Sequence, residues 1–263
     1  SFLSPDIRRA TAWAQQIGAK IENVLLHAES VMQARIQTEM ELARQVQMSL
    51  LPKSLPTING LDIAAGSVAA LKVGGDFYDF VVDMDQGGLT FMVGDVSGKG
   101  MPAALVMSMT RTMMRSVAAT RSNAKPVDIM QVANQSIYED FTDLVMFVTA
   151  FVAHYHEGTH RLTYANAGHS PVIYCRSEQV PILLEADGTA IGVLPDNLCE
   201  NQILSFAIGD VLVVGTDGFA EAFNAEGEMF GYDRLLQLVK SLAHLPAQEI
   251  ADTLFSTISK FAF

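Results

Sequence analysis

The sequence carries its chemistry in three short acidic runs flanked by glycine. Asp76 follows Gly74 and Gly75, Asp95 follows Gly94 and precedes Gly98 and Gly100, and Asp217 precedes Gly218. Glycine at that density lets backbone approach an ion or a phosphate closely. Residues 77–82 and 89–94 read as strands joined by the turn Asp85-Gln86-Gly87-Gly88. A turn centred on Gln86 and Gly87 brings Asp76 opposite Asp95, or within about two residues of it, and facing side chains lie ~5 Å apart. Alternation then places Asp76, Tyr78, Phe80 and Val82 on one face, with Val93, Phe91 and Leu89 beside them. Two ionised acids at the end of an apolar face repel each other, and one takes up a proton unless a cation joins them. Carboxylates and water are the ligands that Mg²⁺ and Mn²⁺ prefer. Asp217 stands just past the apolar run 211–214, so three acids at strand ends imply a shared metal cluster. The plainer alternative is three strand-end residues in solvent.

The elements that must position these acids are legible in outline. Residues 5–50 read as one helix, with Ser4 as its cap and Pro5 at its first position. Ile17, Ile21, Val24, Ala28 and Val31 alternate four and three apart, as a coiled-coil seam requires. Arg35 and Thr38 break that register, and a weaker stripe follows through Ile36, Met40, Ala43 and Leu50, polar at Gln47. A dimerising helix and an amphipathic helix lying on a domain both fit. Pro52 and Pro56 end it. Strands are expected at 61–65, 77–82, 89–94, 145–156, 161–165, 172–176, 202–207 and 210–214. Helices are expected at 102–119, 126–138, 232–244 and 247–262. Strands in two groups with helices between and after them suggest an α+β sandwich and not a parallel βαβ sheet.

Composition narrows the partners. Hydrophobic residues make up 49 % and charged residues 17 %, so a substantial core is available. A net charge of -12 repels a polyanion, which argues against nucleic acid and means that phosphate needs metal ions to bind. No apolar run reaches the ~20 residues of a membrane span, and the N-terminus lacks a signal-peptide layout. Cys175 and Cys199 fit no metal or redox spacing and read as free thiols in a reducing cytoplasm. The opening at Ser1, without an initiator Met and already in mid-pattern, reads as a piece of a longer protein.

Four ordered segments carry a resemblance: V-G-G-D-F-Y-D at 73–79, G-D-V-S-G-K-G-M-P-A-A-L at 94–105, N-A-G-H-S-P at 166–171 and T-D-G-F-A-E-A at 216–222. With Q-M-S-L-L-P at 47–52, they resemble the SpoIIE/RsbU-type bacterial branch of the protein phosphatase 2C (PPM) superfamily, over about residues 40–263. Residues 1 to about 30 are similar to the exit helix of a GAF sensor domain. The resemblance implies a four-layer α-β-β-α sandwich at 51–263, with residues 1–50 as a helical linker. It also implies two divalent ions, Mn²⁺ or Mg²⁺, at one end of the sheets, bound by Asp76, Asp95, the carbonyl of Val96 and Asp217. A hydroxide between the ions would attack phosphorus in line, with no side-chain nucleophile. The implied substrate is a phosphoserine or phosphothreonine protein, a STAS-type anti-sigma-factor antagonist in a partner-switching pathway. The implied assembly is a dimer through the linker. Relatives end with a further strand opened by an Asp-Asp pair. This sequence stops at Phe263, where that strand should begin, and truncation is the expected reason.

Other residues are weighed against plainer roles. Lys72 and Lys99 are candidates to contact the phosphate, or solvated lysines. His169 is a candidate general acid, or a turn residue bonding backbone near the site. Asp79 is a candidate second-shell or third-metal ligand, or a surface salt bridge. His154, His156 and His160 suggest zinc, although alternating histidines on an exposed hairpin are commoner. Gly74-Gly75-Asp76-Phe77 brushes the Gly-Gly-Asp-Glu-Phe signature of cyclic-nucleotide synthases but lacks its Glu. The rival functional reading is a catalytically degenerate interaction module.

Overall fold

The computed structural model describes residues 4–68, 73–83, 87–121, 123–177, 179–196 and 199–262. Lys72 and the residues 84–86 of the expected turn lie outside these. Helix α1 (Ser4–Leu50) runs unbroken through the register change at Arg35 and Thr38. Arg35 pairs there with Glu39 at 3.0 Å, an exposed i,i+4 contact worth only about 0.3–0.5 kcal/mol. The chain divides into two compact units after Val46. Ile17, Ile21, Val24 and Val31, the residues of the expected seam, are all exposed.

The second unit builds two antiparallel sheets. The larger has the order β1-β2-β3-β4-β7, from β1 (Phe77–Asp83), β2 (Gly88–Val96), β3 (Val148–His156), β4 (Arg161–Ala167) and β7 (Gln202–Ser205). The smaller has the order β6-β5-β8, from β5 (Val172–Cys175), β6 (Ile182–Leu184) and β8 (Val211–Val213). Helices α2 (Met101–Thr120) and α3 (Pro126–Leu144) cover the larger sheet. Helices α4 (Gly231–Leu242) and α5 (Ala247–Ala262) cover the smaller one. The result is the four-layer sandwich expected from sequence.

Local chemistry explains the elements. Pro102 opens α2 and Pro126 opens α3, where a missing N–H costs nothing. Asp128 accepts a bond from the Lys125 N–H at 3.1 Å, satisfying one donor at the start of α3. Ala103, Met107, Thr110, Met114 and Val117 bury one face of α2, and Ile129, Ala133, Ile137 and Phe141 one face of α3, at helical spacing. Between the sheets, Leu89, Phe151, Leu162 and Tyr164 form a second core, with Phe151 stacked on Tyr164 at 5.6 Å. Each such side chain contributes roughly 1.5–3 kcal/mol when fully buried.

Two expectations change. Residues 61–65 run extended but join no strand ladder; Leu61 makes only an isolated bridge to Ile58. The strand expected from 145 begins at Val148, because α3 continues to Leu144 and the chain must turn before pairing. The short strand β6 went unread: three residues offer too few alternations to show a period.

Candidate active site

The β1–β2 register pairs Phe77 with Gly94, which brings Asp76, one residue before β1, into line with Asp95. Gly75 makes that approach feasible. A Cβ on Gly75 would stand 2.6 Å from the Val96 carbonyl oxygen, so only glycine lets the two segments touch here. Gly94 serves Phe77 in the same way, since a Cβ would meet its ring at 2.6 Å. Thr216 Oγ1 donates to Asp76 Oδ2 at 3.0 Å, tying the turn after β8 to the strand end of the other sheet.

The acids interact as the alternation argument requires. Burial, a hydrogen bond with Asp76 and the charges of Asp76 and Asp217 together push the Asp95 carboxyl up to about 8. The neighbouring Val96 N–H opposes the shift but does not cancel it. The Asp76–Asp95 pair therefore keeps a proton more readily than a lone carboxyl does when no cation is present. Among the described residues, no three His, Cys, Asp or Glu side chains converge tightly enough to form a ready-made ion cage. Asp76 and Asp95 form the close pair, and Asp217 opens a single 3-10 turn (Asp217–Phe219) beside it. The donor set still fits a hard divalent ion: it is all oxygen, anionic, and short of positive charge.

The loop after Asp95 is pinned. Ser97 N–H donates to the Phe147 carbonyl at 2.9 Å, and Phe147 N–H donates to Ser97 Oγ at 2.9 Å. Lys99 lies exposed beyond it and lines the same cleft as the three acids. His169 is buried. Its Nδ1 meets Thr149 Oγ1 at 3.0 Å, and its backbone N–H donates to Asn166 Oδ1 at 2.7 Å. Burial pushes its imidazole down to about 4, so it is neutral near pH 7 and braces the strand ends.

Asp79 is neither a surface salt bridge nor free to bind an ion. It is fully buried under α2, paired with Arg111 at 2.7 Å and Arg115 at 2.6 Å. Its remaining contact is the Phe80 N–H, which donates to Oδ1 at 2.8 Å. Of the hairpin histidines weighed against zinc, His154 bonds Thr90 at 2.9 Å and His160 bonds Tyr155 at 2.8 Å through their Nδ1 atoms. They form no metal group.

Sequence reasoning missed Gln47. This side chain is buried, its Nε2 donates to the Gly74 carbonyl at 2.6 Å, and the Gly74 N–H donates to its Oε1 at 3.2 Å. The last turns of α1 thus grip the backbone that leads into Asp76. The signal was present as the polar interruption of the α1 stripe, but a lone Gln there reads as a weak seam position until Gly74 is seen against it.

Comparison with known proteins agrees with this geometry. Residues 85–262 match the family profile of Stage II sporulation protein E (SpoIIE). Phosphoserine phosphatase RsbU of Bacillus subtilis (strain 168) is 34 % identical over 229 residues, covering 87 % of this chain and 67 % of RsbU. The chain spans only 37 % and 44 % of two further curated relatives. Among solved structures, the SiaA-PP2C domain of Pseudomonas aeruginosa superposes with a TM-score of 0.75 at 24 % identity, over 88 % of this chain and 92 % of that one. RsbX, solved in complex with magnesium, shares the fold at a TM-score of 0.52 and 15 % identity, over 76 % of this chain and 84 % of that one. No helix of the described residues is long and apolar enough to cross a membrane. The chain belongs to the SpoIIE family of protein serine/threonine phosphatases.

Proposed function

We propose that this chain removes phosphate from serine or threonine of a small regulatory protein, a STAS-type anti-sigma-factor antagonist. The reading calls for two divalent ions, Mn²⁺ or Mg²⁺, held by Asp76, Asp95, Asp217 and the Val96 carbonyl. The observation that carries it is the alignment of Asp76 with Asp95 across the β1–β2 register, with Asp76 tied to Thr216 beside Asp217, a crowding of acids that pushes the Asp95 carboxyl up. A family of metal-dependent enzymes and a magnesium-bound fold relative point to the same chemistry. When bound, the ions supply an acidified water for in-line attack and neutralise the phosphate oxygens. The protein's own groups do the positioning. Thr216 holds Asp76, the Ser97–Phe147 pair fixes the loop after Asp95, and Lys99 meets the incoming phosphate as a point charge. His169, neutral and buried, keeps Thr149 in place and carries no proton to the substrate.

The rest of the chain enters the same reading. Two copies pair along the exposed Ile17, Ile21, Val24 and Val31 of α1, the exit helix of an upstream sensor. The cleft between residues 61–68 and β8 is read as the seat of the further strand that the family resemblance calls for. The decisive experiment is Mn²⁺-dependent release of phosphate from a serine-phosphorylated STAS-domain protein, measured for the intact protein and for Asp95→Ala. Activity that survives the substitution unchanged would refute the proposal. Cross-linking along α1 tests the pairing, with no dimer-specific products as the contrary result.

A further inference from the structure

The α3–β3 connection presents an apolar surface at a cost in backbone conformation. Val145 sits at φ 54, ψ 43, in the left-handed region that suits glycine and is an outlier for a β-branched residue. Its side chain buries nothing: it is 89 % exposed. Leu144 and Phe147 beside it are also exposed.

A second segment extends this surface. Val148 and Ile191 exchange backbone bonds of 2.9 and 2.8 Å in an antiparallel bridge, which lays residues 192–193 alongside 146–147. Val193 and Leu194 are likewise exposed. Both segments are rigidly held. The fully buried Asn134 accepts from the Gly192 N–H at 2.8 Å and donates to the Leu194 and Pro195 carbonyls at 2.8 and 2.9 Å. The other segment is fixed by the two Ser97–Phe147 bonds, and Phe147 lines the same cleft as Asp76, Asp95 and Asp217. A strained, exposed and pre-organised apolar surface beside a reaction site is what docking a macromolecule requires.

We infer that Leu144, Val145, Phe147, Val193 and Leu194 form the docking surface for the folded protein that carries the phosphoresidue. This rests on the phosphatase reading above. A folded phosphoprotein can reach the three acids only by laying its surface over the rim of their cleft, and this surface, joined to the cleft through Phe147, is one apolar stretch beside it. The exposed Asp143 and Asp196 flank it, so the complementary face is apolar at its centre with Lys or Arg at its edge. Small phosphate esters need none of this surface.

The test compares Val145→Gly and the double variant Val193→Ser/Leu194→Ser with the parent, all with Mn²⁺. Three probes are used: p-nitrophenyl phosphate, a phosphoserine peptide, and a serine-phosphorylated STAS-domain protein. Val145→Gly relieves the left-handed strain, so a lost interaction cannot be mistaken for unfolding. The expected result is a KM for the phosphoprotein raised about tenfold in each variant, as loss of central interface side chains gives. Turnover of p-nitrophenyl phosphate and of the peptide stays unchanged. An unchanged KM for the phosphoprotein, with p-nitrophenyl phosphate turnover intact, overturns this inference alone. A parent protein inert towards the phosphoprotein, the peptide and p-nitrophenyl phosphate alike overturns the phosphatase reading and this inference with it.

Discussion

Asp76 and Asp79 lie within one short stretch of chain and meet opposite fates. Asp79 points under α2, where two guanidinium groups surround it at 2.6 and 2.7 Å. Asp76 turns to the strand end, where its neighbours are Asp95, Asp217 and the Thr216 hydroxyl. The fold can therefore neutralise a buried carboxylate with two arginines, and three residues earlier, just before the same strand, it does not. Leaving acids together costs stability unless a cation joins them. The difference separates charge used for architecture from charge reserved for a ligand.

The comparison breaks most visibly at Asp95. On the proposed function, Asp95→Asn should lower Mn²⁺-dependent phosphatase activity on the order of a thousandfold or more, since the proposed ion site loses one carboxylate. The same variant should melt higher than the parent in EDTA at alkaline pH, because it removes the repulsion that an ionised Asp95 meets there. A lower melting temperature would show that the acids do not oppose one another. At Asp79 the sign reverses: Asp79→Asn strips one buried charge from two arginines and should destabilise by roughly 3–5 kcal/mol, measured by urea unfolding. A loss below about 1 kcal/mol, the range of an exposed pair, would contradict the burial described here.

Gly75→Ala is expected to cost about 1–3 kcal/mol, because its methyl must displace the Val96 carbonyl, and to weaken Mn²⁺ binding by calorimetry. Gln47→Ala leaves the buried amide and carbonyl of Gly74 without partners. It should cost about 1–3 kcal/mol and reduce phosphatase activity while the metal ligands remain intact, whereas Gln47→Glu keeps one of the two bonds.

A further effect is one of pH. The Asp95 carboxyl is raised from 3.8 to about 8, so the folded, ion-free protein retains a proton that the unfolded chain has released. This stabilising contribution is complete below pH 4 and is lost as pH rises through 8. His169, lowered from 6.5 to about 4, works the other way and costs stability as pH falls through that interval. Subtracting the stability–pH curve of Asp95→Asn from that of the parent in EDTA isolates the first contribution. Mn²⁺ should flatten the difference, and a difference that is already flat without it would remove the basis for a proton shared between the acids.

Much of this was legible before the coordinates. The glycine-flanked acids and the Asp76–Asp95 alignment follow from strand alternation and turn chemistry, which act over a few residues. The Gly75 contact with Val96 was visible only as an unexplained glycine, because the partner backbone lies across a strand pair. Asp79 reads from sequence as a ligand or a surface group because its compensating charges, Arg111 and Arg115, come from the middle of α2, more than thirty residues on. A helix predicted from its apolar face says little about which polar residues at the edge of that face reach the sheet. Gln47 and Asn134 were unreadable for the same reason: each satisfies backbone groups 27 to 61 residues away along the chain.

The acidic cluster is anchored unevenly. Asp95 belongs to a nine-residue strand with a partner on either side, whereas Asp217 follows a three-residue, half-buried strand that has one neighbour among the described residues. Fluctuations that open the smaller sheet locally cost far less free energy than any that disturb the larger one. The two halves of the cluster therefore have different lifetimes. Exchange of whatever Asp217 holds is set by the breathing of β8, while the Asp76–Asp95 half stays assembled through many such events.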